Sequence, residues 1–324
     1  MRIRIVTPAP PGSHYGNRIT ALRWARTLRK LGHRVSISQA YDDRSYDLLI
    51  ALHARRSRSS IVRFRRRHPD ARIIVALTGT DLYHDIHINP PARESLKLAD
   101  RIIVLQPLAL RELGPAECDK ARVIYQSVED FRGRAKQKRI SKRSSSRHGF
   151  NVCVIGHLRP VKDPFRAALA ARLLPESSQI RIVHIGGAMG KQMEARARQE
   201  EQRNRRYRWL GKLPRSLTLR ILAGSRLCVV SSRMEGGANV LSESIVACVP
   251  VLPSRIDGNV GIVGSNYPGL FNVGDTLELA KLLTRAETDP SFLSELRARV
   301  NDLAPLFDPK REERAWADLI DELR

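Results

Sequence analysis

Acidic residues are scarce in this sequence: 33 of them face 57 lysines and arginines, leaving a net charge of +24. Such a field attracts nucleic acid, anionic lipid or phosphorylated small molecules, unless it is simply an arginine-rich solvated surface. Aromatic residues are scarce too, at 5%. No basic stretch is interleaved with the stacking side chains that single-strand binders use, so nucleic acid is not expected as a partner. Cysteines number four (Cys118, Cys153, Cys228 and Cys248), scattered without a CxxC pair, three of them inside apolar runs. Reduced thiols follow, rather than a disulfide framework or a zinc site. No uninterrupted apolar stretch is long enough to span a bilayer, and residues 2–7 read as a strand rather than as part of a signal peptide. The expectation is a cytoplasmic protein without stable membrane association and without a metal or other cofactor.

What the chain does have is alternation. With 324 residues, 42% hydrophobic and 28% charged, it is large enough for two domains with their own cores. Strand-like runs occur at residues 2–7, 34–40, 47–53, 72–78, 101–106 and 122–126. The clearest helix, 17–31, carries Ile19, Leu22, Ala25, Leu28 and Leu31 at three-residue spacing and stops at Gly32. Residues 131–149 break the pattern: they are basic, serine-rich and nearly free of apolar side chains, which predicts an exposed linker. Strands resume at 151–158, 181–187, 208–211, 227–232 and 249–253, with helices at 164–174, 189–204 and 309–324. Continuous apolar strands alternating with helices predict an α/β protein of two Rossmann-like doubly wound domains facing each other across a crevice. The domains expected are 1–130, an acceptor side; the linker 131–149; and 150–308, a nucleotide-sugar side. A last helix, 309–324, is placed to pack back on the first domain.

Chemistry concentrates after strands. Residues 227–232 lead into Glu235, Gly236, Gly237, Ala238, Asn239, Val240 and, two turns into a helix, Glu243. Paired glycines let a ligand approach the backbone, and the amides of Gly237, Ala238 and Asn239 would open the helix as an anion site. Two carboxylates at that spacing could each accept paired hydroxyls of one elongated ligand; a glycine-rich turn with a solvated glutamate is the plainer alternative. Gly156, His157, Arg159 and Lys162 follow residues 151–155 and suit a diphosphate leaving group, or else form a basic surface turn. Gly12 and Gly16 lie in the opening loop, which is neither a GxGxxG fingerprint nor a Walker loop and so argues against a standard dehydrogenase or kinase.

The Glu-x7-Glu spacing, the Ala247–Val251 run and the Gly-x-Leu-x3-Lys segment resemble the donor half of the retaining GT-B glycosyltransferases of family four. At finer grain the chain is similar to the selenosugar synthases of selenoneine biosynthesis, through TPAPPGSHYGNRITALRWARTLRKLGH, VALTGTDLY, VLQPLAL, VIYQSV, GHLRPVKDPFRAALAARLLP and SSRMEGGANV. That resemblance implies transfer of a UDP-sugar, UDP-N-acetylglucosamine above all, to selenophosphate, with a carbon–selenium bond formed and UDP released. It implies Lys162 on the donor diphosphate, Glu235 on the sugar hydroxyls, Glu243 on the ribose, the amides of residues 237–240 on phosphate, and Lys212 and Leu213 by the uracil. Where common members of the family carry arginine directly after the glycine, this chain has His157, and Arg159 is the neighbouring cation able to replace it.

On the acceptor side, Asn17, Arg18, His53, Arg55, Thr80, Asp81 and Gln106 all follow strands of the first half, with Arg18, His53, Arg55 and Thr80 as the expected pocket. His53 could equally cap a strand end, and Asp81 a helix. Arg63, Arg65, Arg66 and Arg67 read as a solvated helix face. Competing functions are a GT-B enzyme with a hydroxyl acceptor on a lipid or glycan, and a non-catalytic nucleotide-sugar or nucleic-acid binder.

Overall fold

The computed structural model describes residues 1–13, 15–131 and 149–324; most of the expected linker lies outside them. The first half runs β1 (Arg2–Val6), α1 (Gly16–Lys30), β2 (Arg34–Ser38), β3 (Leu48–Leu52), α2 (Arg58–Arg67) and β4 (Arg72–Ala76). A wide π-type turn at Asp81–Asp85 leads to α3 (Ile86–Ile88), α4 (Pro90–Leu98), β5 (Arg101–Val104), a 3-10 turn at Pro107–Glu112, α5 (Pro115–Lys120) and β6 (Ala121–Val123). The second half runs β7 (Phe150–Ile155), α6 (Arg166–Ala171), β8 (Ile180–Ile185), α7 (Lys191–Arg203), β9 (Tyr207–Trp209), α8 (Arg215–Ala223) and β10 (Leu227–Val230). It continues with α9 (Asn239–Val246), β11 (Val251–Pro253), α10 (Asp257–Val263), α11 (Thr276–Thr288), α12 (Pro290–Leu303) and α13 (Pro309–Asp321).

The strands form two parallel sheets, in the orders β2-β1-β3-β4-β5-β6 and β11-β10-β7-β8-β9. The strands and the four helices expected from the pattern are all present, with ends trimmed for local reasons. β3 stops before His53, whose φ of 76° leaves the extended region. Helix α1 ends as Gly32, at φ 84°, turns the chain so that its amide reaches the Arg29 carbonyl.

Contacts divide the chain into two units: Met1–Ser127 with Glu235–Asn239 and Phe307–Arg324, and Val128–Met234 with Val240–Leu306. In the first unit strand side chains alternate between two cores. One holds Ile3, Ile5, Ile50 and Ile74 against Trp24 and Leu28 of α1 and Trp316 and Ile320 of α13. The other holds Leu49, Ala51, Ile73 and Val75 against Ile61 and Phe64 of α2 and Leu96 of α4. Trp24 and Trp316 meet edge to face at 5.1 Å, and the indole N–H of Trp24 donates to Glu312 Oε1 at 2.8 Å. Arg65 departs from the expected solvated face. Its guanidinium donates to Asp100 and to the carbonyls of Pro69, Ala71 and Leu98, and so ties α2 to the loops beside it.

In the second unit Cys153 and Cys228 are register partners on β7 and β10, both buried and unbridged. Burial pushes both thiols up, that of Cys228 to about 12, and so removes their nucleophilic form. Cys118 and Cys248 are half-buried thiols. Among the described residues no helix is long and apolar enough to cross a membrane.

Candidate functional site

In each sheet the strand order reverses direction once, between β1 and β3 and between β7 and β10. Ligands of open α/β sheets bind beyond the carboxyl ends of strands at such points. In the second unit the loops at that place are Gly156–Asp163 and Ser231–Met234, and they are stitched together. The Ser231 hydroxyl donates to the Lys162 and Asp163 carbonyls, and the Arg233 amide donates to the Val161 carbonyl at 2.8 Å. Asp163 closes the 3-10 turn in the left-handed region at φ 42°, held by Arg166 Nε at 2.9 Å. The stem of Lys162 folds over Gly156, where an added Cβ would lie 3.9 Å from its methylenes. A small cavity opens there, lined by Gly156, Lys162, His184, Ser231 and Ser232.

Beneath this loop His184 is fully buried. Burial pushes its pKa down to about 4, so it is neutral. Its Nε2–H donates to the Gly156 carbonyl at 3.1 Å, while Nδ1 receives the Tyr207 hydroxyl at 3.0 Å. Gly186 lies against the same carbonyl: a Cβ there would sit 1.9 Å from the Gly156 oxygen, so no other residue fits. His157 accepts the Gly187 amide on Nδ1 at 3.1 Å, which anchors the ring beside Gly187 and Lys212. Arg159 is exposed and makes no ion pair among the described residues. Lys212 and Leu213 follow Gly211, which turns at φ 66°.

Glu243 stands on α9, which begins at Asn239, so the carboxylate is just over one turn in rather than two. Gly237 and Ala238 precede the helix instead of opening it. Glu243 is buried and its Oε1 lies 2.7 Å from Arg215 at the start of α8. Arg215 carries no motif and was invisible in the sequence.

The five residues Glu235–Asn239 belong to the first unit, and glycine explains how. An added Cβ on Gly236 would lie 2.6 Å from the Thr78 carbonyl carbon, and one on Gly237 2.8 Å from Leu105 Cβ. Asn239 approaches Gly16 and accepts from Arg23 Nη1 at 3.3 Å. Glu235 is buried at the head of this strip.

The remaining first-unit residues follow β1, β3, β4 and β5. Helix α1 starts at Gly16 with no side-chain cap and no acid in its first turn; Gly12, at φ 73°, Asn17 and Arg18 lie about that end. Arg18 Nε and Nη1 are buried without a hydrogen-bond partner among the described residues. His53 is buried, with Nε2 3.2 Å from Thr80 Oγ1. Burial lowers its pKa; Asp81 and then Asp85 act to raise it, Arg56 and Arg55 to lower it. Arg55 is half-exposed and pairs with Asp85 at 2.9 Å.

Two of the expected acceptor residues, Asp81 and Gln106, are engaged in local hydrogen bonds. Asp81 is fully buried and accepts the amides of Thr78, Gly79 and Ala54, which uses it to shape the loop. Gln106 is fully buried, accepting the Leu108 amide and donating to the Tyr83 hydroxyl. Asp85 was missed, since one aspartate in a polar run gives no signal of burial. Among the described residues no group of three or more His, Cys, Asp or Glu is placed to hold a metal ion.

Residues 136–305, more than half of the chain, match the model of the family "Glycosyl transferases group 1". No curated protein matches the chain. Among solved structures it is similar to HepE of Anabaena in complex with UDP, at 15% identity over 99% of each chain and a TM-score of 0.79. It is also similar to the sucrose-phosphate synthase of Thermosynechococcus elongatus, at 15% identity over 99% of this chain and 98% of that one, TM-score 0.74. A third is an α,α-trehalose-phosphate synthase (UDP-forming) of Burkholderia xenovorans, at 16% identity over 95% and 77%, TM-score 0.69. With its two parallel doubly wound sheets in the GT-B fold, the chain belongs to the glycosyl transferases of group 1.

Proposed function

We propose that this enzyme joins selenophosphate to the anomeric carbon of a UDP-sugar, UDP-N-acetylglucosamine first among them, and releases UDP. The donor half of the reading draws support from HepE, solved with UDP and with UDP-glucose. Lys162 and the amides of residues 237–240 would hold the diphosphate, with His157 and Arg159 beside them. Glu235 would accept the sugar hydroxyls, Glu243 the ribose hydroxyls, and the Lys212–Leu213 turn would meet the base.

One observation carries the acceptor half. A cation in the first turn of a helix opposes the helix dipole, and buried guanidinium nitrogens without acceptors are costly. Arg18 has both features at the uncapped end of α1, and an anion at that place would answer both. Selenophosphate is such an anion; a sugar or lipid hydroxyl is not. Arg55 and His53, in the turn that follows the neighbouring strand β3, extend the same polar edge.

The chemistry is charge management. A lone pair on selenium forms the carbon–selenium bond as the bond from the anomeric carbon to the diphosphate oxygen breaks, and that electron pair leaves with UDP. The selenium needs no strong base, so the work falls to orienting two anions and stabilising the departing diphosphate. The test is incubation of purified protein with UDP-N-acetylglucosamine and enzymatically generated selenophosphate, followed by mass spectrometry. A selenium-bearing hexosamine with stoichiometric UDP is the expected result. Release of UDP only with a hydroxyl acceptor would overturn the assignment in favour of an ordinary glycosyl transfer.

A further inference from the structure

Arg215 lies outside every motif and has no role in the reading above, yet it is paired with Glu243. Its two members are unequal: the Glu243 side chain is 6% exposed and that of Arg215 47%. An enclosed carboxylate is costly to keep ionised unless a cation meets it, and 2.7 Å is the short range of charge-assisted hydrogen bonds. The cation comes from a fixed place. Arg215 is the first residue of α8 and follows Pro214, only four residues after the Gly211 turn. The carboxylate is equally fixed, because every residue of α9 from Val240 to Val246 is buried. A rim arginine therefore grips one oxygen of a carboxylate that cannot shift with its helix.

We propose that Arg215 is a positioning residue for nucleoside recognition. By holding Oε1 it keeps Glu243 charged and in one rotamer, so that the carboxylate is pre-set to accept the 2′- and 3′-hydroxyls of a ribonucleoside diphosphate. Arg215 acts through Glu243 and touches neither the base nor the phosphates. The inference rests on the UDP-sugar reading and adds the group that makes the site choose ribose. Preorganisation of this kind appears in affinity, since a ligand then meets a carboxylate already aimed.

Calorimetry with UDP and with 2′,3′-dideoxy-UDP, on wild type, Arg215→Ala, Arg215→Gln and Arg215→Lys, tests it. Wild type is expected to prefer UDP. Arg215→Ala should lose about tenfold in UDP affinity, the scale of one charged hydrogen bond, and leave dideoxy-UDP binding unchanged. Arg215→Lys should recover most of the loss because it restores the charge, and Arg215→Gln should not. Equal losses for both ligands would overturn the proposal, since Arg215 would then be contacting the diphosphate or base itself; no loss for either would overturn it too. Should Arg215→Ala fail to fold, the Gln and Lys pair gives the same comparison. If wild type binds neither nucleotide, the UDP-sugar reading itself falls, an outcome distinct from unchanged or unselective binding in the variants.

Discussion

At the scale of single residues, Lys162 and His184 do opposite kinds of work on one loop. Lys162 is a point charge beside Gly156, and charge on a leaving diphosphate grows toward the transition state. Lys162→Ala is therefore expected to lower kcat by about 100-fold with a much smaller change in KM, in steady-state assays of UDP release. His184 holds the loop from below while uncharged. In the unfolded chain its pKa is near 6.5 and in the folded protein about 4. Above pH 6.5 both states are neutral and nothing changes with pH. Between 6.5 and 4 the unfolded state takes a proton that the native state refuses, so stability falls as pH falls, by up to about 3 kcal/mol. Denaturation midpoints should thus drop on acidification from pH 6.5 to 4.5, and His184→Gln, which keeps an N–H donor, should flatten that slope. An unchanged slope would show that other groups set the acid response.

Among the secondary-structure elements, the sequence was most legible where periodicity is local. The strands follow from runs such as Leu48–Leu52, and α1 lies where the spacing placed it, although Leu22 is exposed and the buried face is Thr20, Ala21, Trp24, Ala25 and Leu28. The glycine-rich turn before α9 was equally plain. What stayed hidden were pairings between residues far apart in the chain. Glu312 reads as one more charge on an amphipathic helix, yet it is buried beneath α1. It takes the Trp24 indole, the Ser127 amide and hydroxyl, and Arg23. Arg215 with Glu243, and Arg55 with Asp85, were hidden for the same reason. Only the fold brings them together, and a charged side chain looks alike in sequence whether it meets water or a partner. Removing the Glu312 carboxylate leaves several buried donors without an acceptor, so Glu312→Ala should destabilise by about 3–5 kcal/mol in urea denaturation. A loss below 1 kcal/mol would mean that water replaces the carboxylate.

For the molecule as a whole, the net charge of +24 acquires a use if both substrates are anions. UDP at about 100 times its dissociation constant should add about 2.7 kcal/mol of stability by mass action, visible as a rise of several degrees in the thermal midpoint. The rise should shrink as ionic strength increases from 0.05 to about 0.5 M, because screening weakens attraction between a cationic protein and an anion. A shift indifferent to salt would assign the charge to surface solvation alone.

Trp316 and its neighbours also set a timetable. The core that encloses Ile3, Ile5 and Trp24 includes Trp316, Leu319, Ile320 and Leu323, which are synthesised after all of residues 128–306. Synthesis thus delivers one wall of the first sheet only after the parts of residues 128–306 are out. Until then the nascent amino-terminal region carries an uncovered tryptophan and an open apolar face, the state in which chaperones bind and stalled chains aggregate. A stop codon placed ahead of α13 would remove that wall and leave Trp24 and the apolar face of the first sheet uncovered.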